Sequence, residues 1–368
     1  MKKTILSLLF LILLVPFVGL AAESGSAEQV FEAKVIKVLE EKTVTNQDGS
    51  TSVQQNLKLK PLEGHWQDKE IKTKGISDIQ VFKSIQVEKG DKVMVTASID
   101  PDGQEVFYVT DHVRRGWLYF LALIFAVLMI AVGRKKGFKA LISLVATFVI
   151  IVWFIIPRIL AGANPLLISI IGSLIILGAI IYITWGLSKK AHLAMAGIFI
   201  SLMITGIFSL IFTKLTNLTG LAQDDAMFLV GLSSGQINFQ GLLLAGIIIG
   251  ALGVLDDVVI SQISTVEQIK AANDKMKPLE IFKSAMSVGV DHISSMTNTL
   301  FLAYAGAALP LLILFTSGES QSLGFSEAIN NEVIATEIVR TLTGSIGLIL
   351  AVPIATILAV KGLVKNQD

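Results

Sequence analysis

The 368-residue chain contains no cysteine, which excludes disulfide staples, thiolate metal centres and cysteine nucleophiles. It leaves the redox compartment open. Histidine is nearly as scarce: the four present show no metal-ligand spacing, so no zinc site is expected. Charge is thin as well. Only 16% of residues are charged, where soluble domains carry about 25%. A formal net charge of +1 gives no reason to expect nucleic acid or any other strongly charged partner. No phosphate loop, nucleophile elbow or zinc motif occurs either, so neither an enzyme nor a cofactor is expected. Apolar residues are abundant instead, at 53% of the chain. Together with a mean hydropathy of +0.71, that composition is the one a membrane protein needs.

The apolar residues are unevenly spread, and three segments follow. Residues 1–22 read as a secretory signal peptide or signal anchor: Lys2 and Lys3 are the basic start, Ile5 to Val18 the apolar middle, and Gly19-Leu20-Ala21 a small-x-small cleavage site. Residues 23–113 mix both charge signs with alternating apolar positions. Val30–Leu39, Asn56–Lys60, Lys92–Ala97 and Glu105–Thr110 suit half-buried strands. Turn formers separate them at Asn46–Gly49, Lys89–Asp91 and Asp100–Gly103. Five or six such strands predict a small extracytoplasmic β domain, a barrel or sandwich of OB-like form. Stacking aromatics and a basic groove are missing, so it is expected to dock a partner or act as a scaffold rather than bind an oligonucleotide.

Residues 114–368 form the helical membrane domain. Seven spans are predicted, at about Trp117–Val132, Phe138–Ile156, Pro165–Trp185, Leu193–Phe212, Phe239–Gln262, Ser294–Phe315 and Ile334–Val360. An exported β domain then places the C-terminus in the cytoplasm. The charges agree: Arg134, Lys135, Lys136, Lys139, Lys189, Lys190, Lys270, Lys275, Lys277, Lys283, Lys361 and Lys365 fall inside, while Arg114, Arg115, Arg158 and Lys214 fall outside. Leu221–Leu232 is too short to span. With the polar turn formers that follow it, the segment suits an interfacial helix or a re-entrant hairpin.

The span from Phe239 carries two adjacent carboxylates, Asp256 and Asp257. Counted from Gly241 at about 1.5 Å per residue, Asp256 lies roughly 22 Å along the helix, still inside a hydrocarbon core about 30 Å thick. Ionisable groups at that depth are costly and face a bundle interior or a wet cavity, which makes them functional candidates. Removal from water and a neighbouring like charge both favour the protonated form of a carboxyl group. Such a pair can exchange protons during transport, or bind a cation with nearby hydroxyl and amide oxygens. Beyond Ser261 the helix continues as an amphipathic cytosolic extension, and a surface helix from Leu279 leads into the next span. That span brings Asp291, His292, Ser295, Thr297 and Asn298, with Asn298 near the depth of the aspartates and Asp291 closer to the cytoplasm. Arg340 lies about 9 Å inside the outer boundary by helical rise. It is expected to reach outward, a pair with Asp256 requiring a tilted helix. Gly246, Gly250 and Gly253 read as a close-packing stripe.

Two resemblances rest on these residues. The signal, β domain, seven spans and the segments Gly253-Val-Leu-Asp-Asp-Val-Val-Ile-Ser-Gln and Asp291-His-Ile-Ser-Ser-Met-Thr-Asn-Thr together resemble the YibE/F-like family of bacterial membrane proteins. That resemblance implies localisation rather than mechanism. More distantly, Gly250-Ala-Leu-Gly-Val-Leu-Asp-Asp-Val-Val-Ile, followed by Glu267 and Pro278-Leu-Glu-Ile, is similar to the fourth and fifth spans of resistance-nodulation-division permeases and Sec-type export subunits. There an Asp-Asp pair relays protons, and the resemblance assigns that role to Asp256 and Asp257. The chain differs in having an extra span, a smaller exported domain and no second half, which implies a homo-oligomer or a related membrane subunit as partner. The resulting expectation is a proton-coupled secondary transporter or export-assisting permease working through Asp256, Asp257 and Asp291. Asn298, Thr297, Ser261 and Arg340 support the site, and the lipid bilayer is the surroundings. The competing expectation is a non-transporting subunit whose aspartates only hold the bundle together.

Overall fold

The computed structural model describes residues 29–45, 51–67, 69–76, 85–100, 103–232, 237–316 and 325–364. The expected signal segment, the turn at Asn46–Gly49 and Lys365 lie outside the described residues. The chain divides into two compact units, Met1–Leu128 and Met129–Asp368.

In the first unit, β1 (Gln29–Thr45), β2 (Thr51–Pro61), β3 (Ile71–Thr73), β4 (Lys92–Ile99) and β5 (Glu105–His112) form one antiparallel sheet in the order β3-β2-β1-β4-β5. The first residues of β1 pair with β4, from Gln29 opposite Ala97 to Lys34 opposite Lys92. The rest pairs with β2, from Ala33 opposite Pro61 to Thr45 opposite Thr51, with irregularities after Val35 and Val38. Such bulges bend a strand and increase its twist, so the long β1 serves both sides of a curled half-barrel. Alternation puts Phe31, Ala33 and Val35 inside. They meet Leu57, Leu59, Val93 and Val95 there, with Trp66 tilted on Phe31 at a 4.9 Å ring separation. The Trp66 Nε1–H donates to Glu105 at 2.9 Å, so its polar end is satisfied. The turn at Lys89–Asp91 is present, with Gly90 at φ 106°, a conformation that favours glycine. Three-residue β3, too short to show alternation, is an addition to the predicted strands.

The second unit is helical. Counting helices in chain order, α1 (Arg115–Ile150) runs through a π turn (Ile151–Ile155) into α2 (Ile156–Leu160), followed by α3 (Pro165–Trp185), α4 (Lys189–Leu215) and α5 (Asp224–Leu232). Then come α6 (Phe239–Ala272), α7 (Pro278–Ala307), α8 (Leu309–Thr316), α9 (Phe325–Asn330) and α10 (Glu332–Leu363). Among the described residues, five helical stretches are long and apolar enough to cross a membrane: Arg115–Leu160, Pro165–Trp185, Lys189–Leu215, Phe239–Ala272 and Glu332–Leu363. The first has 46 residues, a length of about 69 Å if straight and more than twice the hydrocarbon thickness of about 30 Å. It is not one rod. Arg134 sits at φ 50°, ψ −128°, so the helix breaks there. Gly137 lies so close to the Met129 carbonyl that a Cβ would have no room.

The core runs along α4, α6 and α10, with α3 and α7 packed beside it. Leu255, Val259 and Ile263 of α6 meet Ile198 and Leu202 of α4 and Leu348, Val352 and Ala355 of α10, all buried. Small residues permit the approach: a Cβ on Gly197 would lie 3.1 Å from Val259, and one on Gly347 would collide with the Thr205 hydroxyl. As expected, α6 continues past Ser261, with Asn273 closing its C-terminal end. The span drawn at Ser294–Phe315 differs in form. The surface helix and the polar segment are one helix, α7, starting at Pro278 with Glu280 bonded back to the Lys277 N–H at 2.9 Å. The chain breaks at Ala308 before α8. Seven polar residues between Asp291 and Thr299 dilute the hydropathy of α7, which is why it stands outside the five apolar stretches.

Candidate functional site

The site is built where α6 and α7 pass each other. The side chain of Asn238 caps α6 by accepting from the Gly241 N–H at 2.8 Å, which fixes where the helix starts. Seventeen residues on, at about 26 Å of rise, α6 presents Asp256 and Asp257. Leu255, Val258 and Val259 bury the opposite side of this turn. Two contacts set the register with antiparallel α7. Near one end, a Cβ on Gly250 would lie 3.1 Å from the Tyr304 hydroxyl. Near the other, Gln262 Nε2 donates to the Ala285 carbonyl at 2.8 Å and lies against Gly289. Interpolating between them brings Asp256 level with the turn of α7 around Met296.

The polar groups at this level are not equivalent. Asp256 is partly buried and turns Oδ1 inward, where no partner meets it. The Thr297 hydroxyl on α7 is likewise buried and unpartnered. An unpaired polar atom in an apolar bundle costs about 1–3 kcal/mol, so the arrangement holds reserve capacity for a proton or an oxygen-ligated ion. Asp257, about 100° further round the helix, faces the outer surface of the bundle, and Gly253 is open beside it. Asp291, Ser294, Ser295 and Asn298 form an exposed polar stripe on α7. Asp256 and Thr297 therefore have enclosed oxygens, whereas Asp257, Asp291 and Asn298 point outward. Ser261 is half-buried one turn beyond the pair. No group of three or more His, Asp or Glu residues with metal-binding geometry occurs among the described residues.

Arg340 does not pair with Asp256. Its Nη1 donates to Glu337 Oε1 at 2.8 Å, one turn earlier on α10, with both side chains largely buried. The guanidinium lies 5.9 Å from the centre of the Tyr304 ring. The i, i+3 spacing puts an acid on the same helix face, one turn toward the N-terminal end of α10, and this is the partner the guanidinium takes instead of Asp256. Arg340 Nε and Glu337 Oε2 remain buried without partners.

Two polar features escaped the sequence reading. One is Gln262, fully buried, which donates to Ala285 O and to the Thr356 hydroxyl, both at 2.8 Å, and so ties α6, α7 and α10 together. The other is a ladder on α4. Ser201, Thr205 and Ser209 bond back to the carbonyls of Gly197, Ser201 and Thr205 at 2.8–2.9 Å, and Ser209 donates across to Thr343 at 3.1 Å. The signal was legible as small or hydroxyl residues every fourth position from Gly197 to Thr213.

Residues 121–365 match the family model described as YibE/F-like protein. No curated protein matches the chain, and no solved structure does.

Proposed function

The chain belongs to the YibE/F-like family, and from that premise we propose that this membrane protein is a secondary transporter or export-assisting permease coupled to protons through Asp256, with Asp257 and Asp291 as outer members of the relay. One observation carries the reading: the enclosed, unpartnered carboxylate oxygen of Asp256 midway along an apolar helix. Ionisable groups are rare in such surroundings unless they act. Thr297, with its own unmet hydroxyl at that level, is the first group available to share a proton or a cation with it.

The break at Arg134 divides the first apolar stretch in two, and α7 with α8 adds the remaining crossing, which gives seven spans. Lys135, Lys136, Lys189, Lys190 and the α6–α7 connection then lie in the cytoplasm, and the OB-like β domain lies outside the cell membrane. Asp257 and the α7 stripe would face lipid in a lone chain, a costly exposure. A second copy or a related membrane subunit covering that face would remove the cost and complete the relay.

The test is uptake or efflux in vesicles under an imposed pH gradient, after a substrate screen. Asp256→Asn with Asp257→Asn should abolish gradient-driven movement at unchanged protein abundance. If abundance falls in step with movement, the acids are structural. The exposed α7 stripe then supports the second reading, a non-transporting subunit that docks a partner through this face and the β domain.

A further inference from the structure

A cavity of about 350 Å³ lies in the helical unit between the π turn, α3, α6 and α10, with α5 over it. Its size is within the range of about 300–1,000 Å³ usual for small-molecule sites. The wall is mostly aliphatic, with Ile151 and Ile155 from the π turn and Leu242 and Ile249 from α6. Single π turns inside α-helices recur at functional sites. Here Gly172 makes the room that Ile155 needs, since a Cβ there would lie 2.5 Å from Ile155 Cδ1.

Five polar residues break the aliphatic wall, Ser169, Gln223, Asp225, Thr336 and Arg340, and three of them, Ser169, Thr336 and Arg340, carry buried atoms without partners. Ser169 is fully enclosed and Thr336 is 4% exposed. Both hydroxyls and the Arg340 Nε–H lack any partner. A guanidinium only donates, while a hydroxyl both donates and accepts, so the three groups together offer three unmet donors to one ligand head. Glu337 already neutralises Arg340 at 2.8 Å, and Asp225 also lines the cavity. The wall therefore asks for acceptor oxygens, not for a full negative charge.

We propose that this cavity binds a lipid-like amphiphile, with its apolar chain against the isoleucines and an ester or carbonyl head accepting from Ser169, Thr336 and Arg340. As cargo, such a molecule would name the substrate class of the transport reading and rests on it. The binding itself does not involve Asp256.

The experiment uses the full chain, purified in nanodiscs, and two dansyl probes of equal length: an undecanoic methyl ester and a plain alkyl chain. Ser169→Ala with Thr336→Val removes two hydroxyls that bond nothing in the protein, so folding is preserved. The pair should weaken ester binding about tenfold, the worth of two modest hydrogen bonds, and leave the plain chain unchanged. Gly246→Phe enters the cavity from a position where a Cβ meets nothing within 4 Å, and should abolish saturable binding of both probes. Mass spectrometry of the purified chain separates the sources: a resident bilayer lipid is displaced one for one by the ester, whereas an imported amphiphile leaves an empty site that fills on addition. Equal, non-saturable uptake of both probes by every variant overturns the site, and ester binding indifferent to the two hydroxyls overturns the head assignment. Asp256→Asn should bind the ester as the unaltered chain does, so failure of proton coupling and failure of this site are told apart.

Discussion

Two polar regions share the helical unit and differ in one respect, whether their hydrogen bonds are made. Along α4 and α10, Ser201, Thr205, Ser209 and Thr343 close every hydroxyl onto a carbonyl or onto each other, and Gln262 spends its Nε2 between three helices while its Oε1 stays unmet. Where α6 meets α7, and around Arg340, the polar atoms are enclosed but unmet: Asp256 Oδ1, Thr297 Oγ1, Arg340 Nε, Thr336 Oγ1. A bilayer offers no water to repair an open bond. The closed set therefore ties the bundle together, and the open set is the capacity on which the proposed proton exchange and ligand binding rest.

That contrast breaks most visibly at Gly347. A Cβ there collides with Thr205, and both helices are locked by neighbours with no slack. Gly347→Val should cost about 3 kcal/mol or more, the upper range for overpacking. The folded protein should be nearly lost in a thermal size-exclusion assay. Retention of a wild-type melting profile would mean that α4 and α10 are not closely packed. Gln262→Leu comes next. It leaves Ala285 O without the side-chain donor and removes the cross-link to Thr356, at a cost of about 1–3 kcal/mol. Ser209→Ala with Thr343→Ala should cost less. Hydrogen bonds between membrane helices average about 0.6 kcal/mol, so a shift of a few degrees in melting temperature is expected, with transport per folded molecule unchanged.

The sequence carried the frame further than the site. Alternation located β1, β2, β4 and β5, and long apolar runs located α1, α3, α4, α6 and α10, because half-buried strands and lipid-facing helices both leave a periodic or continuous hydrophobic record. It also put Asp256 midway along the long apolar helix α6. What it could not carry was orientation: neighbours in sequence, Asp256 and Asp257 differ by a rotation whose meaning depends on where α7 packs. The start of α7 was obscured by its polar stripe, which lowers the hydropathy used to draw a span. Arg340 was weighed against Asp256 across the bundle, although Glu337 stands three residues away on the same face. The cavity beneath α5 has no linear signature, since its wall is drawn from five separate stretches of chain.

The smallest effect on stability is expected at the residue with the largest effect on function. Asp256 gains nothing from the protein for its enclosed oxygen, so Asp256→Asn removes an ionisable group without breaking any bond. The amide has nearly the same volume. Its stability should stay within about 0.5 kcal/mol of wild type, the range of substitutions away from structural features, or rise. Gradient-driven movement should vanish, because an amide does not exchange protons in this range. Asp291→Asn, on the exposed stripe, should be as neutral for folding and should reduce movement only where a partner covers that face. A loss of 2 kcal/mol or more at Asp256→Asn would mean that the carboxylate is bonded after all. It would then belong with Ser209 and Thr343 among the closed set, and the division between the two regions would fall.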